Sequence, residues 1–452
     1  MARAPFPALA ALLAAAPVFA QTPAHKPVAL DSATQKRIGE LCKRFWKARP
    51  RTHFVEWDPA ERAAILAAAK QIALPEGGSD AAMKLLWAGA AKSGPHLDEK
   101  RPRVDTPYGE ARLILRQGKG KVRGLVLGLH GGGEGAGDAG EAAGSWILDD
   151  CVGMYPQGIE LVHDTWNTVH GERFLLTLIE IAKAQFNVDP DRVYVMGFSM
   201  GGTGSWFMAG RHPDLFAGAS PCAGVFMAQP KSQLARKEEV QALQHGLIPN
   251  VRNLAMYYYI GLADTNCMPG TYLAAWDRLE ALRKDDPEGY GAIQFHTYPG
   301  LPHAFPKGEP AAGLEWISKQ RRQTYPRTLV WEYATDPQPA PGPDDKVTRY
   351  QKQLFYWLRC EAPRDNQRVR ATIADNTVTL AGTLADGAFH GMSILLNDEL
   401  IDPAREVVVQ CGDGETAREL ARVKPAPEFA TLLESFDSRL DTSMVFDRRI
   451  DL

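Results

Sequence analysis

Hydrophobic and polar positions follow a distinctive pattern in the middle of the chain, between residues 108 and 320. Short apolar runs there alternate with stretches of helical periodicity, such as residues 172–185. The clearest runs are residues 122–129, 193–196, 254–260 and 293–298. Continuous apolar character predicts strands that are buried on both faces, as in a parallel sheet covered by helices. We therefore predict an α/β fold with a mostly parallel sheet for this region.

The segment before this region, residues 31–94, has a helical pattern. Asp58 followed by Pro59 is typical of a helix start, and Glu61 is placed to complete a capping box. The Ala-, Leu- and Ile-rich run that follows ends at Gly77-Gly78. We predict a helical N-terminal extension that covers an edge of the sheet or caps the core and carries no chemistry.

The segment after Tyr325 changes in composition, with four prolines at alternate positions between 337 and 343. Beyond them, short strands are predicted at residues 353–360, 369–373, 377–380, 394–396 and 407–410, a late helix at 429–436 and a last strand at 444–450. Asp375-Asn376 is a plausible hairpin turn. This pattern indicates a small C-terminal β domain with a polar tail.

The first twenty residues resemble a cleavable secretory signal: Arg3 precedes an apolar stretch, which is followed by Val18-Phe19-Ala20. We therefore expect an exported protein, periplasmic or extracellular, without a membrane-spanning segment after cleavage. The predicted units are a signal peptide (1–20), a helical N-terminal extension (21–104), a catalytic domain (105–325) and a C-terminal β domain (326–452).

Composition narrows the possible partners. Hydrophobic residues make up 45% of the chain and charged residues 23%, and the formal net charge is -3, so no basic surface for nucleic acid is expected. The six cysteines permit disulfides in an oxidising compartment, and a Cys222–Cys267 disulfide bracing a loop near Asp264 is one hypothesis. Their spacing matches no metal-ligand motif, so we expect neither a metal nor another cofactor.

The motif G-x-S-x-G occurs at residues 197–201, with Ser199 at its centre. An apolar strand precedes it and a helix-compatible run follows, which is the context that a nucleophile elbow requires. A serine in an ordinary glycine-rich turn is the alternative. The context favours Ser199 as a catalytic nucleophile.

A nucleophilic serine needs a base and a group that orients the base. Asp264 directly follows the strand at 254–260, and His303 follows the strand at 293–298. The alternative for Asp264 is a turn or capping residue, and His303 competes with ten other histidines. Their positions after successive strands favour Asp264 as the acid and His303 as the base.

Leu129-His130-Gly131-Gly132-Gly133 ends an early strand, where backbone N–H groups can stabilise an oxyanion. We predict that Gly131 and Gly132 supply one side of this oxyanion hole and Met200 the other. A flexible glycine-rich loop or a phosphate-binding turn is the alternative, but the run matches no phosphate-binding fingerprint.

Together, the glycine run at 129–133, the segment 186–195 that leads into the serine motif, and the segment 300–303 resemble secreted polyhydroxybutyrate depolymerase-like and feruloyl-esterase-like enzymes. The resemblance covers roughly residues 105–320. It implies the α/β-hydrolase fold and cleavage of acyl esters without a cofactor, with Ser199, Asp264 and His303 as the triad. The C-terminal β domain is an addition to the short depolymerase catalytic domain.

The sequence therefore predicts an exported serine hydrolase that acts on a small-molecule or polymer-derived ester. Two alternatives stay open at this point. A prolyl-oligopeptidase-like peptidase uses the same triad on the same fold, and a binding protein can retain a hydrolase fold without catalysis. The acyl and leaving groups and the oligomeric state are not determined by these residues.

Overall fold

The structure is a computed structural model that describes residues 27–132, 137–159, 165–224, 247–267, 269–333, 352–364, 367–382, 389, 391–412 and 417–452. The predicted signal peptide at 1–20 and the four prolines between 337 and 343 lie outside the described residues. Within the described ranges, no helix combines the length and apolar character needed to cross a bilayer. The described helices are α1 Ser32–Ala48, α2 Pro59–Lys70, α3 Ser79–Trp87, α4 Ala90–Ser93, α5 Ala139–Ser145, α6 Val169–Phe186, α7 Met200–Arg211, α8 Leu247–Asn250, α9 Gly270–Asp285, α10 Ala311–Ile317 and α11 Phe429–Asp437.

The largest sheet contains eight strands in the order β1-β2-β4-β3-β5-β6-β7-β8. These strands are β1 Arg103–Thr106, β2 Gly109–Arg116, β3 Gly124–Leu129, β4 Cys151–Pro156, β5 Val193–Phe198, β6 Gly218–Cys222, β7 Ala255–Gly261 and β8 Ile293–Tyr298. Strands β3 to β8 run parallel, whereas β1 and β2 form an antiparallel edge. This is the strand order of the α/β-hydrolase fold, and the predicted fold class is confirmed.

The central strands β3 to β7 are buried along nearly their whole length, as their continuous apolar sequences predict. Helix α6 packs against β3 and β4, and α7 packs against β5 and β6. Hydrophobic residues from these helices and strands form the main core, in which Leu127, Phe174 and Val195 are fully buried. Parallel strands end at one edge of the sheet, so this core fixes where the loops that follow them begin.

The C-terminal part contains two smaller sheets. Its strands are β9 Thr328–Glu332, β10 Leu354–Phe355, β11 Leu358–Cys360, β12 Arg368–Ala374, β13 Thr377–Gly382, β14 Met392–Leu396, β15 Val407–Cys411, β16 Arg418–Val423 and β17 Arg448–Asp451. One sheet has the order β10-β11-β14-β17 and the other β16-β15-β13-β12-β9. The predicted hairpin turn is confirmed, since Asp375 and Asn376 both have positive φ between the paired strands β12 and β13.

Helix α11 belongs to a different layer from these sheets. Phe429, Leu433 and Phe436 are buried in one cluster with residues of α1 to α3, including Phe45 and Trp46. The C-terminal segment therefore completes the hydrophobic core of the N-terminal helices. The predicted domain boundaries at 104/105 and 325/326 stay predictions. The hydrophobic core of the N-terminal helices, however, includes residues from both ends of the chain.

Several sequence-based expectations about local structure were wrong. Asp58 caps α2, but both carboxylate oxygens of Glu61 bind Arg44, so there is no reciprocal capping box. Helix α2 ends at Lys70 instead of Gly77, and helix α3 starts at Ser79 after a turn. The strand expected at 353–360 is the hairpin β10–β11, because Tyr356 adopts positive φ and reverses the chain. The last strand, expected at 444–450, is the shorter β17, Arg448–Asp451.

A group of charged side chains is buried at the C-terminal end of α7. Arg211 and His212 both bind one oxygen of Glu172, at 2.8 and 2.6 Å. Lys352 bonds to Asp214 and lies 3.2 Å from the Nδ1 of His212. Arg439 also binds Asp214, at 2.9 Å. We call Glu172, Arg211, His212, Asp214, Lys352 and Arg439 the buried ion network. It links α6 and α7 to the C-terminal segment.

Candidate active site

Ser199 stands at a sharp turn between strand β5 and helix α7. Its φ of 59° and ψ of -123° are unusual for a residue other than glycine and store strain of the order of 1–3 kcal/mol. The turn is also crowded, because a Cβ on Gly201 would lie 2.1 Å from the carbonyl oxygen of Leu129. Such strain and crowding are typical of a nucleophile elbow.

The Ser199 hydroxyl is not used for helix capping, although Ser199 occupies the N-cap position of α7. Its backbone N–H donates to the carbonyl of Cys222 at 3.0 Å, which fixes the turn to the neighbouring strand. Met200 is the first residue of α7, so its N–H has no partner within the helix. The turn therefore presents a hydroxyl and a backbone donor side by side.

Asp264 and His303 are brought together as predicted. The Nδ1 of His303 lies 2.7 Å from Oδ2 of Asp264, whose side chain is fully buried. The other oxygen, Oδ1, accepts from the N–H groups of Asn266 and Cys267 at 2.9 and 2.8 Å. Since a carboxylate oxygen accepts, Nδ1 of the imidazole is the donor in this contact.

The loops that carry these two residues are tied to each other. Asp264 follows β7 and His303 follows β8, and the N–H of Ala263 donates to the carbonyl of Leu301 at 3.0 Å. A Cβ on Gly261 would lie 2.2 Å from that same carbonyl, so the loops need a glycine there. The pair is therefore held by backbone contacts at the carboxyl edge of the sheet.

His303 lies beside the nucleophile turn, since its ring packs on Phe198 with centroids 4.8 Å apart. Among the described residues, no hydrogen bond joins the Ser199 hydroxyl to His303. Catalytic contacts of this kind often tighten only when substrate is bound. The structure thus brings Asp264 and His303 into contact, and it places the His303 ring next to Phe198, the residue that precedes Ser199.

The glycine run lies against the nucleophile turn. A Cβ on Gly131 would lie 3.2 Å from the Cβ of Ser199, so the loop passes directly over the serine. Gly132 is exposed and has a φ of 79°. Gly131, Gly132 and Met200 are therefore grouped around Ser199, while Gly133 lies outside the described residues.

Phe305, two positions after His303, escaped the sequence analysis. Phe305 is 38% exposed and packs against Phe198 with ring centroids 4.4 Å apart. Trp146 also approaches Phe305, with ring centroids 6.0 Å apart. An exposed phenylalanine two residues after the histidine was the available signal, but exposure cannot be read from a loop sequence.

The proposed disulfide in the acid loop is wrong. Cys222 and Cys267 form no disulfide, and the other four cysteines, all of them described, form none either. Cys222 is buried at the end of β6, and burial raises the pKa of its thiol to about 12. The loop at Asp264 is instead held by the N–H groups of Asn266 and Cys267, which donate to the Asp264 carboxylate. Within the described ranges, no His, Cys, Asp and Glu side chains are grouped as metal ligands.

The family described as "Putative esterase" matches residues 161–303, about a third of the chain. The match contains Ser199, Asp264 and His303. The chain is similar to esterases of the α/β-hydrolase fold. The resemblance inferred from the sequence is confirmed at this level.

Two relatives of known name match shorter segments. "Putative esterase NocK" of Nocardia uniformis subsp. tsuyamanensis is 30% identical over 119 residues, which cover 24% of this chain and 35% of the relative. "Poly(3-hydroxyalkanoate) depolymerase C" of Paucimonas lemoignei is 47% identical over 47 residues, or 10% of this chain and 11% of the relative. The chain thus spans about a third or less of the length of each relative.

A solved structure, the crystal structure of a thermostable esterase, is 20% identical to the chain with a TM-score of 0.36. The aligned part covers 49% of this chain and 62% of that chain.

Proposed function

We propose that the chain is a serine hydrolase that cleaves carboxylic esters through an acyl-enzyme. The observation that carries this proposal is the His303–Asp264 pair beside the strained turn that presents Ser199. A serine hydroxyl needs both a base and a group that orients the base, and these residues provide them. The esterase family match over the same segment supports an ester as the substrate.

In the proposed reaction, Nε2 of His303 takes the proton from Ser199 Oγ as that oxygen attacks the ester carbonyl carbon. Asp264 holds the Nδ1 proton and stabilises the imidazolium. The tetrahedral intermediate then collapses, the leaving alcohol takes the proton from His303, and the acyl group stays on Ser199. In the second half-reaction His303 takes a proton from water as the water oxygen attacks the acyl carbon. The second tetrahedral intermediate then collapses, Ser199 Oγ takes that proton from His303, and the carboxylic acid leaves.

The oxyanion of each tetrahedral intermediate would be bound by backbone N–H groups of Met200 and of the loop at Gly131 and Gly132. Their position around Ser199 supports this role. Such donors meet negative charge that develops only in the transition state, and one donor is worth about 10²- to 10³-fold in rate. The exposed face of Phe305 would contact an apolar part of the substrate.

Labelling with a fluorophosphonate probe tests the proposal. We expect a single adduct on Ser199 of the intact chain, and neither label nor ester hydrolysis in Ser199→Ala. Ser145→Ala is the matched control, because Ser145 is a partly exposed helical serine whose hydroxyl binds only a backbone carbonyl. Hydrolysis of p-nitrophenyl acetate should exceed that of a peptide p-nitroanilide. Folded protein that takes no label and cleaves no ester would contradict the proposal.

Export is part of the same proposal and rests on residues 1–20. If the signal is cleaved after Ala20, the mature protein begins at Gln21. Intact-mass measurement of protein recovered from the periplasm or medium checks this, and recovery only of cytosolic, uncleaved protein would contradict it.

A further inference from the structure

His130 directly follows strand β3, immediately before the glycine loop, and is only 2% exposed. The N–H of Gly158 donates to its Nε2 at 3.0 Å. Because that nitrogen accepts, it carries no proton, and the neutral ring has its proton on Nδ1. Nδ1 lies 2.7 Å from the carbonyl oxygen of Gly131, so His130 donates a hydrogen bond to the loop that follows it.

The surroundings of His130 hold this arrangement. Trp166 packs edge-on against the ring at 5.0 Å, and its Nε1–H donates to the His130 carbonyl at 3.1 Å. A Cβ on Gly137 would lie 1.9 Å from the Gly131 carbonyl oxygen and 2.1 Å from Nδ1. The returning chain therefore covers the bond between His130 and Gly131. Burial lowers the pKa of His130, which keeps the ring neutral.

This bond fixes a whole peptide group. In a trans peptide the C=O and N–H are coplanar and point in opposite directions, so the Gly131 carbonyl and the Gly132 N–H belong to one rigid unit. With the carbonyl held toward His130, the Gly132 N–H points away from it. Gly131 itself lies against Ser199, with hypothetical Cβ to Cβ at 3.2 Å.

We propose that His130 is a positioning residue for catalysis, because its Nδ1–H sets the orientation of the Gly131–Gly132 peptide and so aims the Gly132 N–H at the oxyanion. The inference rests on the proposed function, since it assigns the origin of one oxyanion donor. His130 is buried and is not one of the groups proposed to contact the substrate, so we expect its effect in the transition state. It should change kcat much more than KM.

Two substitutions separate the two ring contacts. In His130→Asn the side-chain amide nitrogen stands near the position of Nδ1 and can still donate to the Gly131 carbonyl. In His130→Gln a longer amide reaches the position of Nε2 and can accept from Gly158, but nothing replaces the Nδ1 donor. His96→Gln is the control, since Nδ1 of His96 also contacts a backbone carbonyl, that of Gly94, away from the site.

With p-nitrophenyl acetate, we expect kcat to fall about 10- to 100-fold in His130→Gln and only about threefold in His130→Asn, with KM nearly unchanged in both. Affinity for phenylboronic acid, whose tetrahedral adduct places an oxygen in the oxyanion site, should fall in parallel with kcat. Imidazole ¹⁵N spectra of the wild type should report a protonated Nδ1.

Equal loss in both variants, an unchanged kcat in His130→Gln, or a protonated Nε2 in the neutral ring would overturn the inference. Thermal unfolding of each variant identifies any loss that comes from unfolding, and a loss of kcat that tracks the fraction unfolded also overturns it. Failure of the proposed function has a different signature: wild-type protein that takes no fluorophosphonate on Ser199, whatever stands at position 130.

Discussion

Helix α7 has two ends of very different chemistry. At its N-terminus, Ser199 and Met200 present a hydroxyl and backbone N–H groups in a half-buried turn crowded by glycines. At its C-terminus, the buried ion network surrounds Arg211 and His212 with charged side chains from α6 and the C-terminal segment. The N-terminal end is built from backbone groups and is half-buried, and we call it the open end. The C-terminal end is built from buried charged side chains, and we call it the closed end.

The difference assigns separate roles to the two ends. Backbone donors keep their geometry without a long side chain to order, which suits a site that must be ready before the substrate arrives. Fully buried ion pairs are costly when one partner is lost, so the closed end makes the fold depend on the C-terminal segment. Substitutions at the open end should therefore change rate, and substitutions at the closed end should change stability.

The largest effect is expected from Asp264→Asn. The amide oxygen can keep the hydrogen bonds from Asn266 and Cys267, but an amide NH₂ would face His303 and force the wrong tautomer. We expect kcat for an ester to fall on the order of 10³- to 10⁴-fold, with little change in the unfolding midpoint. Asp149→Asn, at an exposed acid, is the control. A decrease of less than tenfold would remove Asp264 from the triad.

The opposite result is expected from Asp214→Asn in the buried ion network. Asp214 is 1% exposed, and its removal leaves Lys352 and Arg439 buried without their carboxylate. The free energy of unfolding should fall by about 3–5 kcal/mol, measured with urea. The kcat of the folded fraction should stay within twofold of wild type. The exposed acid Asp375, replaced by Asn, should leave the urea midpoint unchanged. A large loss of kcat in folded Asp214→Asn would contradict the separation of roles, because it would mean that the ion network also affects the rate at Ser199.

Acidification should weaken the same end through His212. Burial and the charge of Lys352 lower its pKa to about 4 from the ordinary 6.5, although Glu172 acts in the other direction. The unfolded chain therefore binds a proton between pH 6.5 and 4 that the folded chain resists, and stability falls as the pH falls through this window. The contribution is about 3 kcal/mol between pH 7 and 4.

Comparison with His212→Asn isolates this effect. The variant has no group that titrates at this position, so its free energy of unfolding should fall less than that of wild type between pH 7 and 4. Urea unfolding at a series of pH values measures both slopes. Identical slopes would mean that His212 does not titrate in this window, and the closed end would then owe its pH sensitivity to other groups.

Much of the open end could be predicted from the sequence because its chemistry follows strand order. Ser199, Asp264 and His303 each follow a strand of the parallel sheet within a few residues, and parallel strands end at one edge of the sheet. The glycine run near Ser199 was predicted from the same signal, since it follows strand β3. Phe305 was missed, because whether a loop side chain covers a site depends on packing between loops.

The closed end was not foreseen at all. His212 and Asp214 lie on either side of Pro213, whereas their partner Lys352 is 140 positions from His212. Ion pairs between distant residues leave no local pattern, unlike the periodicity that predicted the strands. The bounds of helix α11 were predicted almost correctly. Its packing against α1 to α3 was not predicted, because an apolar helix face does not indicate which other elements it contacts.

Placement of α11 among the N-terminal helices has a consequence for how the chain folds as it is made. The contacts between Phe45 or Trp46 and Phe436 join residues that are about 390 positions apart. Such a layer has very high contact order, and it cannot close until nearly the whole chain has left the ribosome. During synthesis, the apolar faces of α1 to α3 that contact α11 therefore stay uncovered until α11, almost the last element of the chain, has been made.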